Sequence, residues 1–123
     1  METVFVLFSA NLSQNCLVAH NEMSASELLP RSYGVWVASN AQASVAYNKV
    51  RNLKYGVCLA AEAAGLVCFN EFSAYASAST GMETFGIIAQ SAKELVETGN
   101  AFEGLHVPIV LPENRAKRKT EER

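Results

Sequence analysis

Short apolar runs alternate with polar breaks along this chain, and the runs predict its secondary structure. Four runs predict strands, residues 3–9, 16–21, 33–39 and 105–112, and all but the second are rich in β-branched or aromatic side chains. The first two runs are separated only by a turn-like stretch and are expected to pair as a hairpin. Pro108 lies inside the last run, which places that strand at a sheet edge or at a strand end.

Apolar residues at helical spacing predict helices in the remaining parts of the chain. Residues 41–53 carry one apolar face and one polar face, and Gly56 follows as a natural end. Thr80 and Glu83 have the spacing of a capping box, so a second helix is expected to begin there and to end at Gly99.

The segment between these two helices has two interpretations. Residues 57–78 are rich in Ala and Glu, which have high helix propensity and low strand propensity. We therefore favour a helix, although residues 57–72 could instead form a hairpin of two strands.

The order of these elements predicts an α+β fold, with a small, mostly antiparallel sheet and two to three helices packed on one face. A length of 123 residues fits one domain, for which we expect residues 1–112 to be globular and residues 113–123 to form a charged, disordered tail. No repeat of fixed period is evident.

The composition excludes several classes of site. All twelve acidic residues are Glu, so a Ser-His-Asp triad or an Asp-rich metal loop is absent in its usual form. Three cysteines without a CxxC pair argue against a disulfide framework and indicate a reducing compartment, for which we expect the cytoplasm. The longest apolar run, residues 56–69, is too short to span a bilayer, so no membrane association is expected.

Nucleic acid is not an expected partner. The formal net charge is −2, and the basic run in the tail is diluted by Glu121 and Glu122 and contains no aromatic residue that could stack on bases. A solvated tail is the better interpretation.

No catalytic residue, metal ligand or cofactor is predicted. Cys16 and His20 would form a thiolate–imidazolium pair on a helix, but on the expected strand they lie about 13 Å apart. The two histidines are far apart in the sequence and have no flanking acids, which gives a metal site little support. We therefore expect a protein without enzymatic activity.

Ser39 and Asn40 form the candidate ligand site. They stand where the third strand is expected to run into the first helix, and either side chain can cap the free N–H groups of that helix. The same N–H groups could instead hold a phosphate or carboxylate, although no glycine-rich loop accompanies them.

Four residues form the candidate interface. Glu62 lies within an apolar run, where it is either on the solvent edge of a helix or buried and paired with Arg31, Lys49, Arg51 or Lys54. Phe69, Phe72 and Tyr75 follow at a spacing of three, which spreads them across a helix face too wide for one core stripe.

These features predict a non-enzymatic interaction protein that self-associates as a homo-oligomer and engages a protein partner. The alternative is a small-molecule binding protein, for a nucleotide or metabolite anion, or a small enzyme with its site around Ser39 and Asn40.

Overall fold

The fold consists of strands. A computed structural model describes residues 15–25, 31–74 and 81–113, and in these ranges the chain forms twelve strands and no helix. In chain order they are β1 (Asn15–Ala19), β2 (Glu22–Ser24), β3 (Tyr33–Val37), β4 (Gln42–Ala46), β5 (Lys49–Arg51), β6 (Tyr55–Leu59), β7 (Ala64–Cys68), β8 (Glu71–Ser73), β9 (Phe85–Ile88), β10 (Glu94–Thr98), β11 (Ala101–Glu103) and β12 (Val107–Val110). No helix that is long and apolar enough to cross a membrane occurs in these ranges.

The strands form three four-stranded sheets in which all neighbours are parallel. Sheet A has the order β1-β4-β7-β10, sheet B the order β2-β5-β8-β11, and sheet C the order β3-β6-β9-β12. Every third strand therefore returns to the same sheet. The described chain winds through four coils of a parallel β-helix, and each coil adds one strand to each sheet.

The interior is filled by columns of similar side chains stacked from coil to coil. In sheet A, Val45 and Val67 are in register, point inward and are at most 1% exposed. In sheet C, Val35, Val57 and Ile87 form a second column that is fully buried. In sheets A and B inward and outward positions alternate along each strand, so one register buries the apolar residues of every coil at once.

A ladder of asparagines holds the corner between sheets A and B. Asn48 Oδ1 accepts the backbone N–H of Asn21 at 2.9 Å, and Asn70 Oδ1 accepts the backbone N–H of Asn48 at 2.8 Å. Asn100 Oδ1 accepts the backbone N–H of Asn70 at 2.8 Å, so the pattern continues to the fourth coil. Asn48 and Asn70 are each 1% exposed, and this ladder satisfies polar groups that would otherwise be costly to bury.

Glycines in sheet C make room for aromatic rings from sheet B. The rings of Phe72 and Phe102 stack with their centroids 5.3 Å apart. A Cβ atom at Gly56 would lie 2.5 Å from the Phe72 ring, and one at Gly86 would lie 2.7 Å from the Phe102 ring. The glycines therefore allow these rings to fill the interior beside sheet C.

The expectation of an α+β fold with an antiparallel sheet is wrong. Residues 41–53, expected as a helix, form β4 and β5, and the helix expected from Thr80 to Gly99 is replaced by β9 and β10 within the described residues. The preference for a helix in residues 57–78 is also wrong within residues 57–74, which contain most of β6 and all of β7 and β8; residues 75–78 lie outside the described residues.

The helical spacing came from two strands on either side of a corner. In residues 41–53, Ala43 and Val50 point inward, whereas Ala46 and Tyr47 of the supposed apolar face point outward or lie in the corner. Alanine is abundant because space at the corners is small: Ala41, Ala63 and Ala92 are at most 3% exposed there.

The strands expected around residues 33–39 and 105–112 are confirmed as β3 and β12. The β12 strand contains Pro108 and lies at the end of the strand order in sheet C, as expected for an edge strand. The second expected strand corresponds to β1, but it pairs in parallel with β4. The strand expected at residues 3–9 and the tail after residue 113 lie outside the described residues.

Candidate interaction surface

The outward side chains of sheet A form an apolar stripe. Leu17, Leu66 and Val96 occupy the central outward position of their strands, and they are 71%, 41% and 46% exposed. Ser44 occupies the same position in β4 and interrupts the stripe with a small side chain. Around Ser44 and Ala64 the surface has a shallow depression of about 230 Å³, which also borders Leu66, Val96 and the polar side chains of Gln42 and Glu94.

A ladder of aromatic rings runs beside this stripe, at the corner that follows each strand of sheet A. The rings of His20 and Tyr47 stack with centroids 5.2 Å apart, and those of Tyr47 and Phe69 stack at 5.3 Å. All three residues have positive φ angles of 55–60°, which is a strained conformation for bulky side chains. In the fourth coil the position is Gly99, where a Cβ atom would meet the Phe69 ring at 2.4 Å.

These residues together are called the sheet A face. The outward column of small or polar side chains between the stripe and the ring ladder completes it. The twelve members are Leu17, Ser44, Leu66 and Val96; Ala19, Ala46, Cys68 and Thr98; and His20, Tyr47, Phe69 and Gly99. The twelve carry no acidic or permanently basic side chain, but the exposed carboxylate of Glu94 borders the depression beside them.

The outer side of sheet C is also apolar, but its side chains largely cover one another. The ring of Tyr55 stacks on those of Tyr33 and Phe85, with centroids 4.9 and 5.5 Å apart, and Trp36 packs edge-on against Tyr33 at 5.0 Å. The ammonium of Lys54 lies 5.5 Å from the Tyr55 ring centroid.

The titration behaviour on this side reflects that packing. Burial raises the pKa of the Cys58 thiol to about 11. Burial is also the main reason why the pKa of Tyr55 is raised, with smaller contributions from Tyr33 and Cys58. A thiol with a raised pKa is a poor nucleophile at neutral pH, so Cys58 is suited to packing.

The outer side of sheet B is polar. The strand register places Lys49 between Glu22 and Glu71, so charges of opposite sign alternate along one outward column. A depression of about 410 Å³ lies nearby, lined by Arg51, Glu71, Ser73, Ala101 and Glu103 among others. Exposed side chains of both signs are typical of a solvated surface.

The candidate ligand residues Ser39 and Asn40 lie in an exposed turn between two strands, β3 and β4. The turn is closed by the backbone N–H of Ala41, which donates to the carbonyl of Ala38 at 3.0 Å. The N–H of Asn40 donates to the carbonyl of Ala61 in the next coil at 3.3 Å. There is no helix N-terminus here, and this N–H is already used within the fold.

Glu62 lies at the same corner, one coil further along. It is exposed, has a φ of 61°, and its backbone N–H donates to the carbonyl of Ser91 at 3.0 Å. The structure thus brings Ser39, Asn40 and Glu62 together in equivalent turns. Of the two interpretations of Glu62, the structure supports the solvent-exposed one, in a turn in place of the expected helix.

The aromatic candidates separate into different environments. Phe69 is 49% exposed and belongs to the sheet A face, whereas Phe72 is 2% exposed and lies in the interior. Phe72 is therefore unavailable to a partner. Tyr75 lies outside the described residues.

The remaining chemical candidates do not form a site. Cys16 aligns with the inward Ala43, while His20 lies in the corner and stacks on Tyr47. Across the described ranges no group of three or more His, Cys, Asp or Glu side chains is placed to hold a metal ion.

Sequence reasoning missed four members of the sheet A face as interface candidates: Leu17, Tyr47, Leu66 and Val96. The sequence does contain a signal for these residues, which is a recurring pair whose second member is Asn. Its first member is a ring-bearing residue or Gly: His20-Asn21, Tyr47-Asn48, Phe69-Asn70 and Gly99-Asn100. Aligning the chain on these pairs places the outward residues three positions before each first member.

Comparison with known proteins finds no matching family model, curated protein or solved structure.

Proposed function

We propose that this protein is a non-enzymatic interaction protein that self-associates through the sheet A face. The observation that supports this is the concentration of exposed apolar side chains. Among the described residues six large hydrophobic side chains are exposed, and Leu17, Tyr47, Leu66, Phe69 and Val96 all lie on this face. A contiguous apolar surface on a soluble domain is typical of a protein–protein contact.

Sheet A is a better contact surface than the outer side of sheet C. The side chains of Tyr33, Tyr55 and Phe85 are each partly buried, since their rings stack on one another. The apolar side chains of sheet A stand further into solvent, and covering them removes more apolar area from water.

The expectations about the cellular compartment, a different protein partner and a small-molecule ligand are proposals with less support. The free thiols of Cys16, Cys58 and Cys68 support a reducing compartment, for which the cytoplasm is our proposal. Engagement of a different protein partner and small-molecule binding at Ser39 and Asn40 stay predictions. The latter loses the helix N-terminus on which it depended.

Light scattering over a concentration series tests self-association. We expect a mass that rises from 13.3 kDa towards twice that value as concentration increases. The variant Leu66→Glu should stay monomeric, because it would bury a charge at the centre of the contact.

Leu111→Glu is the matched control, because Leu111 is 52% exposed but does not belong to the sheet A face. This variant should associate as the unmodified protein does. A monomer at every concentration would refute the proposal, and so would equal loss of association in both variants.

A further inference from the structure

We propose that the sheet A face binds a second copy of this chain across a two-fold axis parallel to the strands, so that the two β-helix axes run in opposite directions. This inference rests on the proposed function and specifies its partner and geometry. In this arrangement β1 lies opposite β10 of the partner copy, and β4 lies opposite β7 of the partner copy. Each outward column then faces the same column in reverse order.

The central column is complementary to its own reversal. Its order along the helix axis is Leu17, Ser44, Leu66, Val96. Reversal places Leu66 over Ser44 of the partner copy, where the depression of about 230 Å³ begins. Leu17 then faces Val96 of the partner copy, so both ends of the column form apolar pairs.

The ring ladder is complementary in the same register. Its order is His20, Tyr47, Phe69, Gly99, so reversal sets Tyr47 against Phe69 of the partner copy. His20 at one end meets the end without a side chain, Gly99 of the partner copy. The His20 ring therefore meets no opposing side chain, and Tyr47 and Phe69 each form an aromatic pair with a ring of the partner copy.

A two-fold axis along the helix direction fits less well. It would place Ser44 opposite Ser44 and Leu66 opposite Leu66 of the partner copy, which leaves the depression unfilled at the centre. It would also make the sheet A strands of the two copies run in opposite directions. Each ring ladder would then lie past the edge of the apolar stripe of the partner copy. Size complementarity thus favours opposed helix axes.

The area of the face predicts a dimer in equilibrium with its monomer. Four strands spaced ~4.8 Å apart and four residues at ~3.3 Å each give a face of roughly 19 Å by 13 Å. Two such faces have a combined flat area of roughly 500 Å², which is the size of a weak, transient contact. We expect a dissociation constant in the micromolar range.

Cross-linking between single thiols tests this register. In the full chain with Cys16, Cys58 and Cys68 replaced by alanine, one variant carries Ala19→Cys and another carries Thr98→Cys. Opposed axes place these thiols about 10 Å apart across the interface, whereas two thiols at position 19, or two at position 98, lie roughly 17 Å apart. A bis-maleimide of matching span should cross-link the mixed sample, with little or no product from either variant alone.

A second mixed pair tests the competing arrangement. In the same background, one variant keeps Cys68 and the other carries Ala64→Cys. These thiols lie about 10 Å apart when the helix axes are parallel and roughly 17 Å apart when they are opposed. Circular dichroism of all variants checks that each keeps its strand content.

Cross-linking of the 19/98 pair without the 64/68 pair is the expected result. Preferential cross-linking of the 64/68 pair would overturn the register. Dimers in light scattering with neither pair cross-linked would overturn this interface while leaving self-association intact. Monomers in light scattering would instead refute the proposed function itself.

Discussion

At the scale of single residues, the asparagine ladder joins successive coils at the corner after sheet A. Asn70 Oδ1 accepts both the backbone N–H and the side-chain Nδ2 of Asn48, at 2.8 and 3.0 Å, and Asn70 Nδ2 donates to the carbonyl of Val45 at 2.9 Å. Asn70 Nδ2 also donates to Asn100 Oδ1 at 2.9 Å, so one buried amide satisfies polar groups in the coils before and after its own. The aromatic residues that precede the asparagines pay a conformational cost, which their stacking offsets.

The ladder predicts a large effect for Asn70→Ala. This change leaves the N–H and Nδ2 groups of Asn48 without their buried acceptor, so the free energy of unfolding should fall by about 2–4 kcal/mol. Urea unfolding at neutral pH, below the concentration of self-association, measures it. Gln90→Ala removes an exposed amide and should change stability by no more than about 0.5 kcal/mol. Equal effects would contradict the structural role of the ladder.

Single residues were partly predictable from the sequence. The spacing of three between Phe69, Phe72 and Tyr75 makes Phe69 an interface candidate, and the structure places it, 49% exposed, on the sheet A face. The apolar neighbours of Glu62 suggest burial as one interpretation, yet those neighbours, Ala61 and Ala63, belong to a tight turn. A turn residue between small side chains looks the same in sequence as a residue buried within a helix.

At the scale of the secondary-structure elements, corners explain why strands resembled helices. The strands of sheets A and B are separated by only two residues, such as Tyr47 and Asn48 between β4 and β5. A period of two that is interrupted by so short a corner places apolar residues three and four apart. β3 and β12 were predictable because their β-branched and aromatic residues are flanked by polar breaks.

The corner between β7 and β8 gives a test at this scale. Phe69 and Phe72 are three residues apart, but Phe72 packs inside and Phe69 lies on the surface. Phe72→Ala should lower the free energy of unfolding by about 3–5 kcal/mol, since it leaves a cavity beside Phe102. Phe69→Ala should cost about 1 kcal/mol or less and should weaken self-association instead. Thermal or urea unfolding measures the two stability changes, and light scattering measures self-association. Equal behaviour of the two variants would contradict this difference between Phe69 and Phe72.

At the scale of the whole molecule, the repeat was hidden by loops of different length. The coils that begin at residues 15, 42 and 64 are 27, 22 and 30 residues long, so no fixed period exists. In chain order the extra residues fall between the strands of sheets B and C, and the stacked columns keep their register from coil to coil. The repeat is therefore carried by a few positions, such as Gly34, Gly56 and Gly86, and not by a constant spacing.

The sheet A face follows from this winding, because residues far apart in sequence become neighbours only when the coils stack. Backbone amide chemical shifts of the ¹⁵N-labelled protein, followed on dilution, test its role most directly. We expect concentration-dependent shifts at β1, β4, β7, β10 and the ring ladder, with the strands of sheets B and C unchanged. Shifts confined to sheet C, or no shifts at all across the range, would contradict the account.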